Sequence, residues 1–216
     1  MLCILSGFGI RVNFNSKVMV IEEDLLMAFG ADVIKLRKNE LLFKENSAPA
    51  YYYQMIKGKI KLTNSRMRNR EFIQSLHLQG ECVGEIFLFS ARDYPVDVVA
   101  MEDCTVLRLD RPTLFRLMEA DFEVQMNFLQ YVSERIRFNY ILLNSLTSDD
   151  AASRLLTLLD YVKENHNRHE PYSYQIPYTR KEISSLTGLR VETVIRTFKK
   201  MENEGVIKII KGRIFY

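Results

Sequence analysis

Residues 179–216, TRKEISSLTGLRVETVIRTFKKMENEGVIKIIKGRIFY, decide how the rest of the chain is read. The stretch opens on Thr179-Arg180-Lys181-Glu182, the spacing of a capping box, in which the Thr and Glu side chains satisfy backbone N–H groups at a helix start. Ile183, Leu186 and Thr187 then fall on one helical face, and Ser184 is small enough for a second helix to cross closely. Gly188 stands where that helix must end with positive φ, a conformation glycine adopts without steric cost. Leu189 is expected to plug the turn against the core. Val191, Val194, Ile195, Phe198 and Met201 recur at helical spacing, with Arg190, Glu192, Thr193, Arg196, Lys199 and Lys200 on the other face. Gly205 stops this second helix, and residues 207–210 and 213–216 form a hairpin around Lys211-Gly212. Helix, glycine turn, helix and hairpin in that order predict a winged helix-turn-helix, whose second helix enters a DNA major groove.

An ordinary amphipathic helix pair with a solvated charged face would meet part of this pattern. The stretch holds nine Lys or Arg against four Glu, an excess of five, whereas the whole 216-residue chain carries a formal charge of only +3. Positive charge gathered on the segment that also holds the cap, the glycine turn and the wing decides for DNA.

The segment resembles the DNA-binding domain of the Crp/Fnr superfamily, bacterial regulators related to the cyclic-AMP receptor protein. The likeness rests on Thr179-Arg180-Lys181-Glu182-Ile183, Gly188, Val191-Glu192-Thr193-Val194, Arg196 and the run MENEGVI at 201–207. The resemblance implies that Glu192 and Arg196 are the principal base readers. Their chemistry agrees, since Arg donates two bonds to guanine and a carboxylate accepts from cytosine N4. Spaced by four, the two lie on one helical face. Thr179, Arg180, Arg190, Thr193, Lys199 and Lys200 are expected to hold the DNA backbone or assist. Val191, where the cyclic-AMP receptor protein has Arg, places the segment nearer the Fnr branch. Arg190 departs from the family's Ser or Thr at the N-cap and forfeits a cap worth about 1 kcal/mol.

Upstream, residues 31–109 alternate with period two. Ile34 and Leu36 alternate with charges up to a turn at Lys38-Asn39, and Gly58 divides two apolar runs in the manner of a hairpin. Many short antiparallel strands predict a compact β-roll, which the resemblance identifies with a cyclic-nucleotide-binding domain. In members that bind cyclic nucleotides, a cassette opens with Gly-Glu and closes with Arg-Ser or Arg-Thr. Here Gly84-Glu85-Ile86 matches the opening, but Pro95 and Val96 occupy the places of the Arg and its hydroxyl neighbour. A buried phosphate without its guanidinium loses its strongest charge-assisted partner. Arg92, three residues early, would replace it only in a rebuilt loop. Cyclic AMP is therefore not the expected effector, and Gly84-Glu85 is expected to serve the fold.

Residues 121–145 are helical in pattern, without Gly or Pro. Leu129, Val132, Ile136 and Leu143 repeat at three-and-four spacing, with Asn139 the polar exception. Phe128, Phe138 and Leu142 form a second apolar face that would cover the roll. The first stripe is expected to pair with a copy of itself, with Asn139 fixing register as buried Asn does in coiled coils; a monomeric helix buried on both sides is the alternative.

The remaining signals exclude other classes. Cys3, Cys82 and Cys104 are too few and too scattered for a disulfide framework or an Fnr-type iron–sulfur cluster, and they suit a reducing cytosol. His77 reads as a fold residue rather than a haem ligand, and His166 and His169 lack a third metal ligand nearby. No nucleophile, base and orienter converge, so no enzyme is expected. No run reaches membrane-spanning length, and no basic region precedes the apolar first ten residues, so no signal peptide is expected; translation could start at Met1 or Met19.

The expected architecture is α+β: an antiparallel β-roll effector domain over 1–120, a dimerisation helix over 121–148 and a winged helix-turn-helix over 149–216. The expected function is a cytoplasmic, homodimeric transcription regulator on a pseudo-palindromic operator. RNA polymerase and an unidentified small-molecule effector are its further candidate partners. A nucleotide-responsive regulator with a rearranged pocket, and an interaction module that has lost DNA binding, are the alternatives.

Overall fold

The computed structural model describes residues 19–64, 72–90, 92–148, 150–164 and 170–216. Cys3, His166, His169 and the Met1 start lie outside these. The alternating segments become two antiparallel sheets facing one another. One holds β1 (Asp32–Leu36), β7 (Cys104–Asp110) and β3 (Tyr51–Lys57) in that order. The other holds β2 (Leu41–Phe43), β6 (Asp97–Ala100), β4 (Ile60–Asn64) and β5 (Phe72–His77). Strand alternation turns Phe43, Met55, Ile60, Val98 and Val106 into the space between them, where they form one buried cluster. On the outer face of the three-stranded sheet, Tyr52, Leu107 and Leu109 pack under helices α1 (Glu23–Ala28), α2 (Arg111–Ala120) and α3 (Phe122–Ser145).

The Gly58 hairpin is not formed. β3 pairs with β7, while β4 pairs with β5 and β6, so the chain changes sheets at Gly58. A corner and a hairpin both join two alternating runs by a tight turn, and period alone does not separate them. The Lys38-Asn39 turn does the same between β1 and β2.

Helix α3 starts at Asp121, whose carboxylate accepts from Glu123 N at 2.8 Å and Val124 N at 3.2 Å. It buries Val124, Phe128, Phe138 and Leu142. Leu129, Ile136 and Leu143 on its other side stay 56%, 47% and 60% exposed, far above what core leucines show, and Asn139 is exposed beside them. Val132 is the departure in this stripe, for it packs partly against the roll cluster.

Asp150 then caps α4 (Ala151–Glu164), accepting from Ser153 N at 2.9 Å. Leu155, Leu158 and Leu159 of α4 pack with Ile183, Leu186, Val194 and Phe198 to make the C-terminal core. Ile73 and Leu76 of β5 and Phe138 and Leu142 of α3 belong to that same cluster, so the roll, the long helix and the C-terminal domain are packed together. Among the described residues no helix is long and apolar enough to cross a membrane.

Candidate nucleic-acid interface

The helix pair is α5 (Arg180–Thr187) followed by α6 (Val191–Asn203). The capping box is formed in full: Thr179 Oγ1 accepts from Glu182 N at 3.2 Å, and Thr179 N donates to Glu182 Oε2 at 2.7 Å. Gly188 takes φ 68° at the turn. Ser184 does more than leave room, since its hydroxyl donates to Leu189 O at 2.6 Å and stitches the turn shut. The wing is β8 (Lys208–Ile210) paired with β9 (Arg213–Phe215). Glu202 Oε1 accepts from Ile209 N at 2.9 Å and ties α6 to it.

Helix α6 is fixed from below by Val194, Phe198 and Met201, all buried. Arg190, Glu192, Arg196, Lys199 and Lys200 are exposed above. Thr193 is half-buried, and Lys200 lies 3.8 Å from Glu204 in an exposed pair. Arg190 makes no capping bond, as its side chain requires. Arg180 is partly engaged already, donating through Nη1 to Gly212 O at 2.6 Å and holding the wing tip to the start of α5.

Ile195 is the residue that sequence reasoning misplaced. Counted with the buried stripe, it is 39% exposed and stands with Glu192, Arg196 and Lys199 at i, i+3, i+4 and i+7 spacing. The signal was present in that spacing, but an isoleucine on a helix with three true core positions reads as a fourth.

The cassette is arranged differently. Gly84 has φ 71°, and a Cβ there would meet Phe43 Cζ at 2.7 Å and Tyr94 Cε1 at 3.1 Å. Tyr94 stacks on Phe43 with ring centroids 3.7 Å apart, and Phe87 meets Tyr94 edge-on at 5.6 Å. Val96 is fully buried in this cluster, whereas Pro95 and Arg92 are exposed. Of the six cassette residues, only Gly84, Glu85 and Ile86 line a cleft of about 330 Å³ bounded by β4, β5, α3 and Leu186 of α5. Arg92, Pro95 and Val96 do not reach it. Asn139, Ile136 and Leu143 of the α3 stripe do.

One wall of that cleft holds a buried polar cluster that the sequence did not announce. Burial raises the Glu85 carboxyl to about 6, against the pull of the nearby Arg135 guanidinium. Arg135 Nη2 lies 3.0 Å from His77 Nε2, and Ser75 Oγ is 3.0 Å from the same nitrogen. Burial and then Arg135 hold the His77 imidazole well below its ordinary range, so it stays neutral. His77 is thus held within the fold by Ser75 and Arg135, at the wall of the cleft. Arg135, in a helix rich in exposed polar side chains, is half-buried against His77, and no sequence signal marked that contact.

A winged helix-turn-helix with an exposed basic reading face, carried by a long helix on a double-sheet roll, defines a DNA-binding regulator with an attached effector-type domain. Residues 33–121 match the family described as cyclic nucleotide-binding domain, and residues 151–215 match the Crp-like helix-turn-helix domain, together more than two thirds of the chain. The chain belongs to the Crp/Fnr superfamily of DNA-binding transcription regulators, a family of regulators rather than enzymes.

It is 24% identical over 208 residues to the transcriptional activator protein FnrA of Stutzerimonas stutzeri, covering 95% of this chain and 83% of that protein. It is 26% identical over 172 residues to the cAMP-activated global transcriptional regulator CRP of Salmonella typhimurium, covering 79% and 81%. The fold is also that of FixK2 from Bradyrhizobium japonicum, at TM-score 0.70 and 22% identity over 86% of this chain and 91% of that one. A CooA mutant from Carboxydothermus hydrogenoformans superposes at TM-score 0.73 and 16% identity, over 90% and 86%.

Proposed function

We propose that the protein reads a pseudo-palindromic operator as a cytoplasmic homodimer, and does so without cyclic AMP. The exposed stripe Glu192–Ile195–Arg196–Lys199 above the buried Val194–Phe198 floor carries this reading. Arg196 donates to guanine O6 and N7, Glu192 accepts from cytosine N4, and Ile195 supplies an apolar contact of the kind that recognises a thymine methyl. Thr179, Arg190, Thr193, Lys199 and Lys200 hold phosphates. Arg180 acts mainly by bracing the wing. The test is Arg196→Ala on cognate and scrambled duplexes: a loss confined to the cognate is expected, and equal losses on both would refute the assignment.

The exposed Leu129, Ile136 and Leu143 support pairing of two α3 helices. Two recognition helices would then lie about 34 Å apart, one helical turn of DNA. Asn139 sits on that seam and is assigned the register role; Asn139→Leu is expected to yield mixed assembly states by ultracentrifugation, and an unchanged dimer with unchanged DNA binding would count against it. RNA polymerase is the partner through which such a dimer would act.

Against cyclic AMP stand the exposed Pro95 and buried Val96 where the phosphate partners belong, and the Phe43–Tyr94 stack pressed against Gly84. The cleft beside Glu85 supports a second reading, in which a different small molecule is the effector. Its size of about 330 Å³ and its mostly apolar walls favour a compact, largely apolar ligand.

A further inference from the structure

Lys59 stands at the corner where the chain changes sheets, and its backbone is held by the roll. Its carbonyl accepts from Met101 N at 2.9 Å and from Cys104 Sγ at 3.4 Å. Its side chain leaves the roll altogether. Nζ donates to Pro177 O at 2.9 Å and lies 3.3 Å from both carboxylate oxygens of Glu182. Glu182 is the capping-box residue of α5, and its Oε2 also accepts from Thr179 N at 2.7 Å. The two side chains are only 16% and 7% exposed, so the pair is shielded from solvent and from salt. Lysine and carboxylate are 123 residues apart in sequence, and they join the roll to the first turn of α5.

Apolar contacts also join these parts: Ile73 and Leu76 of β5 share a cluster with Leu186 of α5. The apolar burial that holds the two bodies together is non-directional, and a directional polar contact adds a constraint on how one is turned on the other. A lysine with a carbonyl and a carboxylate as acceptors is such a contact, and a buried pair of this kind leaves an uncompensated charge when one partner is removed. We propose that Lys59 is a positioning residue for DNA reading, which sets the orientation of the winged helix-turn-helix by gripping the α5 capping box. The proposal rests on the two-half-site reading above. A dimer gains affinity from a second half-site only if both reading helices arrive at the required separation, and a loosened orientation spreads that separation.

The variant is Lys59→Met, which keeps the length and the apolar stem of the side chain and leaves the Thr179 and Glu182 residues themselves unaltered. The probe is the palindrome that the wild-type chain enriches from a random duplex library, together with the same duplex with one half-site scrambled and a series of spacer lengths. The expected result is a loss of about tenfold on the palindrome with little change on the single half-site, and tolerance of spacers the wild type rejects. Equal losses on both duplexes, or none, would overturn the proposal. A DNA-free readout separates it from the operator reading: nitroxides on Lys35→Cys in the roll and Asn203→Cys at the end of α6, in a Cys3→Ser background, report the distance between the two bodies. A narrow distribution that broadens in Lys59→Met supports the grip, and an unchanged one overturns it. If the wild type enriches no palindrome, the two-half-site reading fails, and the nitroxide distances still decide whether Lys59 sets the orientation.

Discussion

Helix α6 and the Gly84 cassette begin from the same kind of signal, a short family-like motif with polar residues at set positions, and they end as opposites. In α6, Glu192, Arg196 and Lys199 are exposed to solvent over a closed apolar floor, with no hydrogen bond or ion pair to the other described residues. In the cassette Gly84 and Glu85 keep their places, but Val96 and Tyr94 have turned inward and become core. A glycine that shapes the backbone is required by packing alone, because Gly84 is needed wherever Phe43 and Tyr94 approach this closely. A reading face has no such second use. Exposed charge on α6 is therefore a stronger sign of function than the Gly-Glu of the roll.

The largest effect that bears on this contrast is expected from Tyr94→Ala. Removing a buried, stacked ring should cost about 3–5 kcal/mol in denaturant unfolding while leaving the base preference of the folded protein unchanged. Altered base preference would mean that the cassette still speaks to the reader through this ring. Arg196→Ala comes next: about 1–3 kcal/mol of discrimination at one guanine should vanish, seen by competition between single-base variants of the selected site. Ile195→Ser should give a smaller loss confined to one A·T pair.

Glu85 sharpens the comparison from the other side. Its carboxyl keeps a proton up to about 6 in the fold, against 4.5 when unfolded, so the folded state binds more protons between those values. The stability this confers is fully present below 4.5 and lost as pH rises through 6. Relative to Glu85→Gln, the wild type should lose about 2 kcal/mol of unfolding free energy across that window. A flat difference would show that Glu85 is solvated or paired. The smallest effect is expected from Lys199→Ala, which should weaken all duplexes alike and lower the slope of log K against log salt by about one.

Most of the reader could be seen in the residues themselves, because its elements are local. The Thr179–Glu182 box, Gly188 and the Lys211-Gly212 hairpin each fix geometry within a few residues. The roll was legible as alternating strands, but not as two sheets: at Gly58 the deciding fact is which strand lies beside β3, and that partner, β7, is some fifty residues away. The same limit hid the role of Arg135, whose partners His77 and Glu85 come from distant parts of the chain. Ile195 was misread for a different reason. Helical spacing marks a stripe, and where a stripe ends is set by the width of the surface it packs on.

The measurement that bears most directly on the central claim is selection of binding sites from a random duplex library by the purified chain, with and without cyclic AMP. If the reader is competent as folded and the cassette takes no cyclic AMP, as proposed, the same pseudo-palindrome is expected in both arms. Enrichment only when the nucleotide is present would contradict that claim and return the cassette to a sensing role, and enrichment in neither arm would contradict an intrinsically competent reader.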